Sequence, residues 1–284
     1  MAKPSQWLHE HAHDVTSQFG EDGIIEKALE TIGQRDGWCV EFGAWDGKHL
    51  SNTHTLIADK GYSAVLIEGD PQRYQELCAR HGERENVVPM NAFVGFEASD
   101  SLDTLLDKTA IPKQFDLLSI DIDGNDYHAW NAVTTYRPKL VVIEYNPSTA
   151  NDVDFVQDAD PTINHGSSLL ALDRLAKEKG YELIATTTTN GIFVDAQYFP
   201  LFEIEDNSVR AMRTDEWLVT HLFCGYDGTV FVRGYGTLPW HEIKYNESRM
   251  QFLPKWLRKY PHNYSKTQAF VADLYNRWFN KRSA

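Results

Sequence analysis

Four acids in this chain stand where short apolar runs end. Glu41 closes Trp38-Cys39-Val40, and Glu68 follows Ala64-Val65-Leu66-Ile67. Asp121 follows Leu117-Leu118-Ser119-Ile120, and Glu144 follows Leu140-Val141-Val142-Ile143. A carboxylate at such a place can accept hydrogen bonds from a hydroxylated or cationic ligand. Gathering four of them has a cost, because mutual repulsion raises their pKa values. A structural protein gains nothing from that, so the four acids mark a functional site. The densest stretch is Asp121-Ile122-Asp123-Gly124-Asn125-Asp126-Tyr127-His128. It is not an EF-hand loop, since its glycine is the fourth residue and Ala132 stands where the bidentate glutamate belongs. His128, one helical turn past these acids, is the first candidate for a general base, and His165 in Asn164-His165-Gly166 is the second. A histidine in such a place is more often a partly buried hydrogen-bonding residue, so that reading stands beside the catalytic one for both.

The elements that must carry these residues alternate in type. Helices are expected over Ile24 to Ile32, Leu50 to Lys60, Gln72 to His81, Ser101 to Leu106, Tyr127 to Thr134 and Ser167 to Lys179. Ser17 or Asp22 is a candidate cap for the first of these, and Pro71 suits the first turn of the third. Strands are expected over Trp38–Phe42, Ala64–Ile67, Val87–Val94, Phe115–Ile120 and Leu140–Ile143, then Tyr181–Thr186 and Gly191–Val194 as a hairpin. Pro89 suits an edge strand. Continuous apolar runs fit parallel strands buried on both faces. The alternation implies βαβ units, with the ligand site outside the carboxyl ends of the strands where their order switches. The polar stretch 148–161 reads as a lid over that edge.

Net charge is −14, which fits nucleic acid poorly as a substrate. No run of about 18 apolar residues is present, so no transmembrane segment is expected. The polar start, Met1 to Asp14, lacks the apolar core of a signal peptide, and its His9, His11 and His13 are read as a disordered terminus. Cys39, Cys78 and Cys224 are scattered and form neither a disulfide framework nor a zinc motif, so a cytoplasmic location is expected. The stretch 241–284 departs from the rest, with nine Lys/Arg against three Asp/Glu among several aromatics. It is read as a helical cap or, more sharply, as a docking surface for an anionic partner or membrane.

Glu41-Phe42-Gly43-Ala44-Trp45-Asp46-Gly47 resembles the first motif of class I S-adenosylmethionine (SAM)-dependent methyltransferases. Asp121-Ile122-Asp123-Gly124-Asn125-Asp126 is similar to the Asp-x-Glu-Gly-x-Glu segment of the FkbM-type group, with aspartate replacing each glutamate. As a pattern of elements the resemblance covers residues 15–200. It implies a Rossmann-like, doubly wound, mostly parallel seven-stranded α/β sheet whose last strand is antiparallel. A methyltransferase domain over 1–200 with a C-terminal extension, 201–284, packed on it is then expected. The resemblance also implies that Glu41 faces the methionine ammonium and Gly43 lets the loop pass beneath the cofactor. Glu68 would take the ribose hydroxyls, and Asn91 and Ala92 would border adenine. Ser17 and Gln18 would bind the cofactor carboxylate, unless they only cap the helix. Asp121, Glu144 and Asn146 resemble the acid, acid, amide set that holds magnesium in some O-methyltransferases, although Tyr145 separates Glu144 from Asn146 here. The implied activity is O-methylation of a small-molecule or glycan-like acceptor, by a protein that could be a homo-oligomer. A NAD-dependent oxidoreductase lacks its G-x-G-x-x-G fingerprint here and stays as an alternative, as does a non-catalytic SAM- or metal-binding module.

Overall fold

The structure is a computed structural model and describes residues 2–280. The chain divides into two compact units, Met1–Glu216 and Trp217–Ala284.

The first unit is built on one seven-stranded sheet of order β3-β2-β1-β4-β5-β7-β6. Its strands are β1 (Trp38–Phe42), β2 (Ser63–Glu68), β3 (Val87–Asn91), β4 (Gln114–Ile120), β5 (Arg137–Glu144), β6 (Tyr181–Thr186) and β7 (Asn190–Asp195). The first five are mutually parallel, and β7 runs antiparallel to both β5 and β6. Alternation of strands with α1 (Glu21–Ile32), α2 (His54–Asp59), α3 (Pro71–His81), α4 (Leu102–Leu106), α5 (Asp126–Ala132) and α6 (Leu169–Glu178) gives the expected Rossmann-like class. The apolar runs are central because they pair on both flanks: Val65 opposes Val40 on one side and Val88 on the other. β3 is the edge strand that Pro89 called for, and it ends at Asn91 rather than Val94.

Two expectations fail for local reasons. The helix read from Leu50 begins only at His54. Leu50 has left-handed backbone (φ 54°), and Ser51, Asn52 and Thr53 donate to the Glu41 carboxylate instead of opening a helix. The terminus read as disordered forms a 3-10 turn over Trp7–His11. Trp7 and Leu8 are buried in the core and His9 Nε2 meets the Thr186 carbonyl at 2.6 Å. The division also falls after Glu216 rather than after 200. Phe202, Ile204, Val209 and Met212, the last two on α7 (Val209–Met212), are buried, and Gln6 donates to the Met212 carbonyl.

The second unit holds a hairpin of β8 (Thr220–Cys224) and β9 (Val230–Gly234), a small pair β10 (Thr237–Leu238) and β11 (Ile243–Lys244), three short 3-10 turns and α8 (Lys266–Asn280). No helix among the described residues is long and apolar enough to cross a membrane.

At the amino edge of the sheet, Lys139 of β5 is buried and meets Asp116 Oδ1, Asp36 Oδ2 and the Gln34 carbonyl, each at 2.8 Å. Asp116 is fully buried and also accepts the Asp36 and Gly37 amides. Removing one member of a buried ion pair leaves the other charge uncompensated. Lys139→Met is therefore expected to lower unfolding free energy by about 3 kcal/mol or more in denaturant titrations. A loss under about 1 kcal/mol would show that water compensates Asp116.

Candidate functional site at the carboxyl edge of the sheet

The parallel strands β1, β2, β4 and β5 bring Glu41, Glu68, Asp121 and Glu144 to one edge. The strand order reverses direction between β1 and β4. Beside that switch lies a cavity of about 970 Å³, at the large end of small-molecule sites. Glu41 lines it from β1, Gly43 and Ala44 from beyond β1, Glu68 from β2, Ala92 from beyond β3, and Asp121 and Asp123 from beyond β4. Trp45, Phe93 and Phe96 add aromatic wall, His49 and Arg73 add nitrogen groups, and Ala159 and Pro161 of the lid, with Asn164 beyond it, close one side.

Close backbone approach holds the two central tips together. A Cβ on Gly43 would stand 1.7 Å from the Asp121 carbonyl oxygen, and Gly43 has left-handed backbone (φ 76°). Only glycine fits there. The lid is sewn to the next loop. The buried Gln157 accepts the His165 and Gly166 amides on its side-chain oxygen, and its own carbonyl meets His128 Nε2 at 2.7 Å. Asn164 donates to the Asp123 carbonyl, and Asn125 donates to the Asp160 carbonyl. Gly124 leaves room for this seam, since a Cβ there would crowd Gln157 and the Ile163 carbonyl.

The acids differ in what satisfies them. Glu41 is buried and accepts from Ser51 Oγ, Thr53 Oγ1 and the Asn52 amide. Its pKa is still raised, because burial outweighs those donors. Glu68 accepts the Trp45 amide on one oxygen (2.8 Å) and the Asp70 amide on the other (2.7 Å). Asp126 accepts the Ile122 and Gly124 amides, yet burial lifts it to about 6. The side-chain carboxylates of Asp121, Asp123 and Glu144 accept no hydrogen bond from any described residue, and one oxygen from each lies within 4.8 Å of the other two. Asp121 opens onto solvent in the cavity while protein packs around it. That burial, then the charges of Asp126 and Asp123, pushes it up to about 7. Burial, then the charge of Asp121, holds Glu144 well above the carboxylate range. Asp123 has left-handed backbone (φ 57°), which a short polar residue tolerates.

Other expected site residues sit elsewhere. Asn146 shares the region, but its side-chain oxygen accepts the Ser148 amide and hydroxyl, and its nitrogen donates to the His165 carbonyl. Ser17 is buried; its hydroxyl donates to Asp14, accepts the Asp22 amide, and does not line the cavity. Gln18 is exposed and also outside the cavity lining. Asn91 donates to the Glu68 and Gly69 carbonyls, so it braces the β2 tip while Ala92 reaches the cavity. His128 is half-buried against Phe96 and Tyr127, and His165 is exposed; neither lines the cavity. Trp130 and Tyr145 are core residues. Sequence reading left out Asp123 as a candidate cation ligand, His49 as a cavity residue and Gln157 as the lid's fastener. Only Asp123 carried a signal, its place in Asp121-Ile122-Asp123.

No protein-family model matches the chain, and no curated protein matches it. Solved structures do. One is a SAM-dependent methyltransferase from Aquifex aeolicus, with 10% identity, 60% of this chain and 88% of that chain covered, and a TM-score of 0.36. Another is an S-adenosylmethionine-dependent methyltransferase from Clostridium acetobutylicum, with 10% identity, 61% and 89% covered, and a TM-score of 0.39. A third is the CMeT domain of the citrinin polyketide synthase, with 11% identity, 64% and 55% covered, and a TM-score of 0.42. At such scores the likeness carries nothing about activity, and the strand order itself sets the fold class.

A carboxylate whose pKa is higher folded than unfolded binds more protons in the native state, so its contribution to stability falls as pH rises. For Asp121 that window runs from its ordinary 3.8 to about 7. With divalent cations chelated, Asp121→Asn is expected to gain thermal stability relative to the unaltered chain as pH rises through that window. A constant difference between the two melting curves would contradict the raised pKa.

Proposed function

We propose that this chain is a SAM-dependent methyltransferase of the FkbM type that methylates a hydroxyl on a small-molecule or glycan-like acceptor. One observation carries the reading. The antiparallel β7 lies between β5 and β6, beyond a cavity into which the β2 tip presents Glu68. A dinucleotide-binding sheet would run 3-2-1-4-5-6 and open on G-x-G-x-x-G, and this chain has neither.

When bound, SAM supplies an electrophilic methyl on a sulfonium, and a divalent cation supplies positive charge that lowers an acceptor hydroxyl's pKa. The chain's residues would divide the work as follows. Glu68, already oriented by the Trp45 and Asp70 amides, keeps lone pairs free for two ribose hydroxyls. Gly43 and Ala44 leave the backbone bare beneath the methionine end, and Glu41 adds negative charge there. Ala92 and Phe93 border the adenine side, and Trp45, Phe96 and the lid residues Ala159 and Pro161 exclude water around the acceptor. With no cation bound, Asp121, raised to about 7, is the group in the cavity suited to receive the acceptor's proton near neutral pH. Asp121, Asp123 and Glu144 also fit a hard cation, being three oxygen donors with no hydrogen bond to give up. Asn146, whose oxygen is occupied by Ser148, does not join them.

Calorimetric titration with SAM and with S-adenosylhomocysteine, each with Mg²⁺ and with EDTA, tests the reading. Binding of both is expected, weakened about ten- to hundredfold by Glu68→Gln, as for loss of a hydrogen bond to a charged group. A Mg²⁺ effect that disappears in Asp123→Asn would place the cation among the three acids. No binding of either ligand, together with binding of NAD(H), would overturn the proposal.

A further inference from the structure

The second unit differs in charge from the first. Residues 217–284 carry ten Lys/Arg against four Asp/Glu, whereas the whole chain has a net charge of −14. The first unit is therefore strongly acidic and the second basic. The second unit also exposes large apolar side chains: Trp256 is 50% exposed, Phe270 64%, Leu274 47% and Trp278 51%. Phe270, Leu274 and Trp278 recur every four residues on α8, which places them in one stripe. That helix is fixed to the turn before it. Gln268 donates to the Trp256 carbonyl at 2.8 Å, and Tyr264 donates to the Leu257 carbonyl at 2.7 Å, so the turn Lys255–Leu257 and α8 form one block. Lys255, Lys259 and Lys266 stand exposed on this block, and none is in an ion pair among the described residues.

Exposed tryptophan, phenylalanine and leucine beside unpaired lysines is the composition of a surface that lies in a membrane interface. Apolar rings enter the headgroup boundary while lysines meet lipid phosphates. A partner protein would need the apolar stripe matched by acids around it, whereas an anionic bilayer offers both features everywhere. We propose that the block Lys255–Asn280 docks the protein on an anionic phospholipid surface, with Trp256, Phe270, Leu274 and Trp278 inserted at the headgroup level. The acidic first unit is repelled by the same surface. This reading is independent of the activity proposed above.

Flotation of the full chain with phosphatidylcholine vesicles, and with vesicles also containing phosphatidylglycerol, tests it. Recovery is expected only with the anionic vesicles, and it should fall as salt is raised. Each basic residue at such a surface contributes about 1 kcal/mol, so the triple reversal Lys255→Glu/Lys259→Glu/Lys266→Glu is expected to weaken partitioning on the order of a hundredfold. These lysines are exposed, so the variant keeps its fold, which circular dichroism checks. Phe270→Ser/Leu274→Ser/Trp278→Ser should abolish flotation as well. Flotation that ignores lipid charge, or no flotation at all, overturns the proposal. So does a dimer in sedimentation that the serine variant dissociates, since a second copy would then cover the stripe.

Discussion

The whole carboxyl edge depends on how a parallel sheet disposes of carboxylates that it cannot separate. Parallel pairing of β2-β1-β4-β5 fixes the tips side by side, so Glu41, Glu68, Asp121 and Glu144 share one edge. Local backbone absorbs part of the charge. Residues 51–53 give up a helical turn to Glu41, the loops after β1 and β2 donate to Glu68, and the loop after β4 donates to Asp126. Asp121, Asp123 and Glu144 are left, with elevated pKa values at Asp121 and Glu144. Three close acids without protein donors repel one another, which favours binding a proton or a cation among them.

The surrounding structure holds that arrangement in place. The contact of Gly43 with the Asp121 backbone sets the separation of the β1 and β4 tips, and the seam from Gln157 to His128 and from Asn164 to Asp123 ties the lid to the acids. Hydrogen bonds thus join the cavity wall, the lid and the loop that carries the acids.

The sheet and its acids were legible in the sequence because both are local signals. An apolar run of strand length followed by an acid needs no distant partner to be recognised. What escaped depends on contacts far along the chain. His128 was readable as a base or as a half-buried hydrogen-bonding residue, and what decides for the second is the Gln157 carbonyl in a loop without periodicity. Asn146 had the right residue type for a cation ligand, but its neighbour Ser148 takes its oxygen. The late start of α2 follows from the demand of buried Glu41 for three donors, which helix propensity does not register. The 3-10 turn near the amino end rests on two buried residues, Trp7 and Leu8, too few for a periodic pattern.

The most direct measurement is a crystal structure grown with S-adenosylhomocysteine and Mn²⁺. The account expects ribose hydroxyls on Glu68 and an anomalous manganese peak among Asp121, Asp123 and Glu144. A nucleoside seated elsewhere, or a manganese peak away from these three acids, would contradict it.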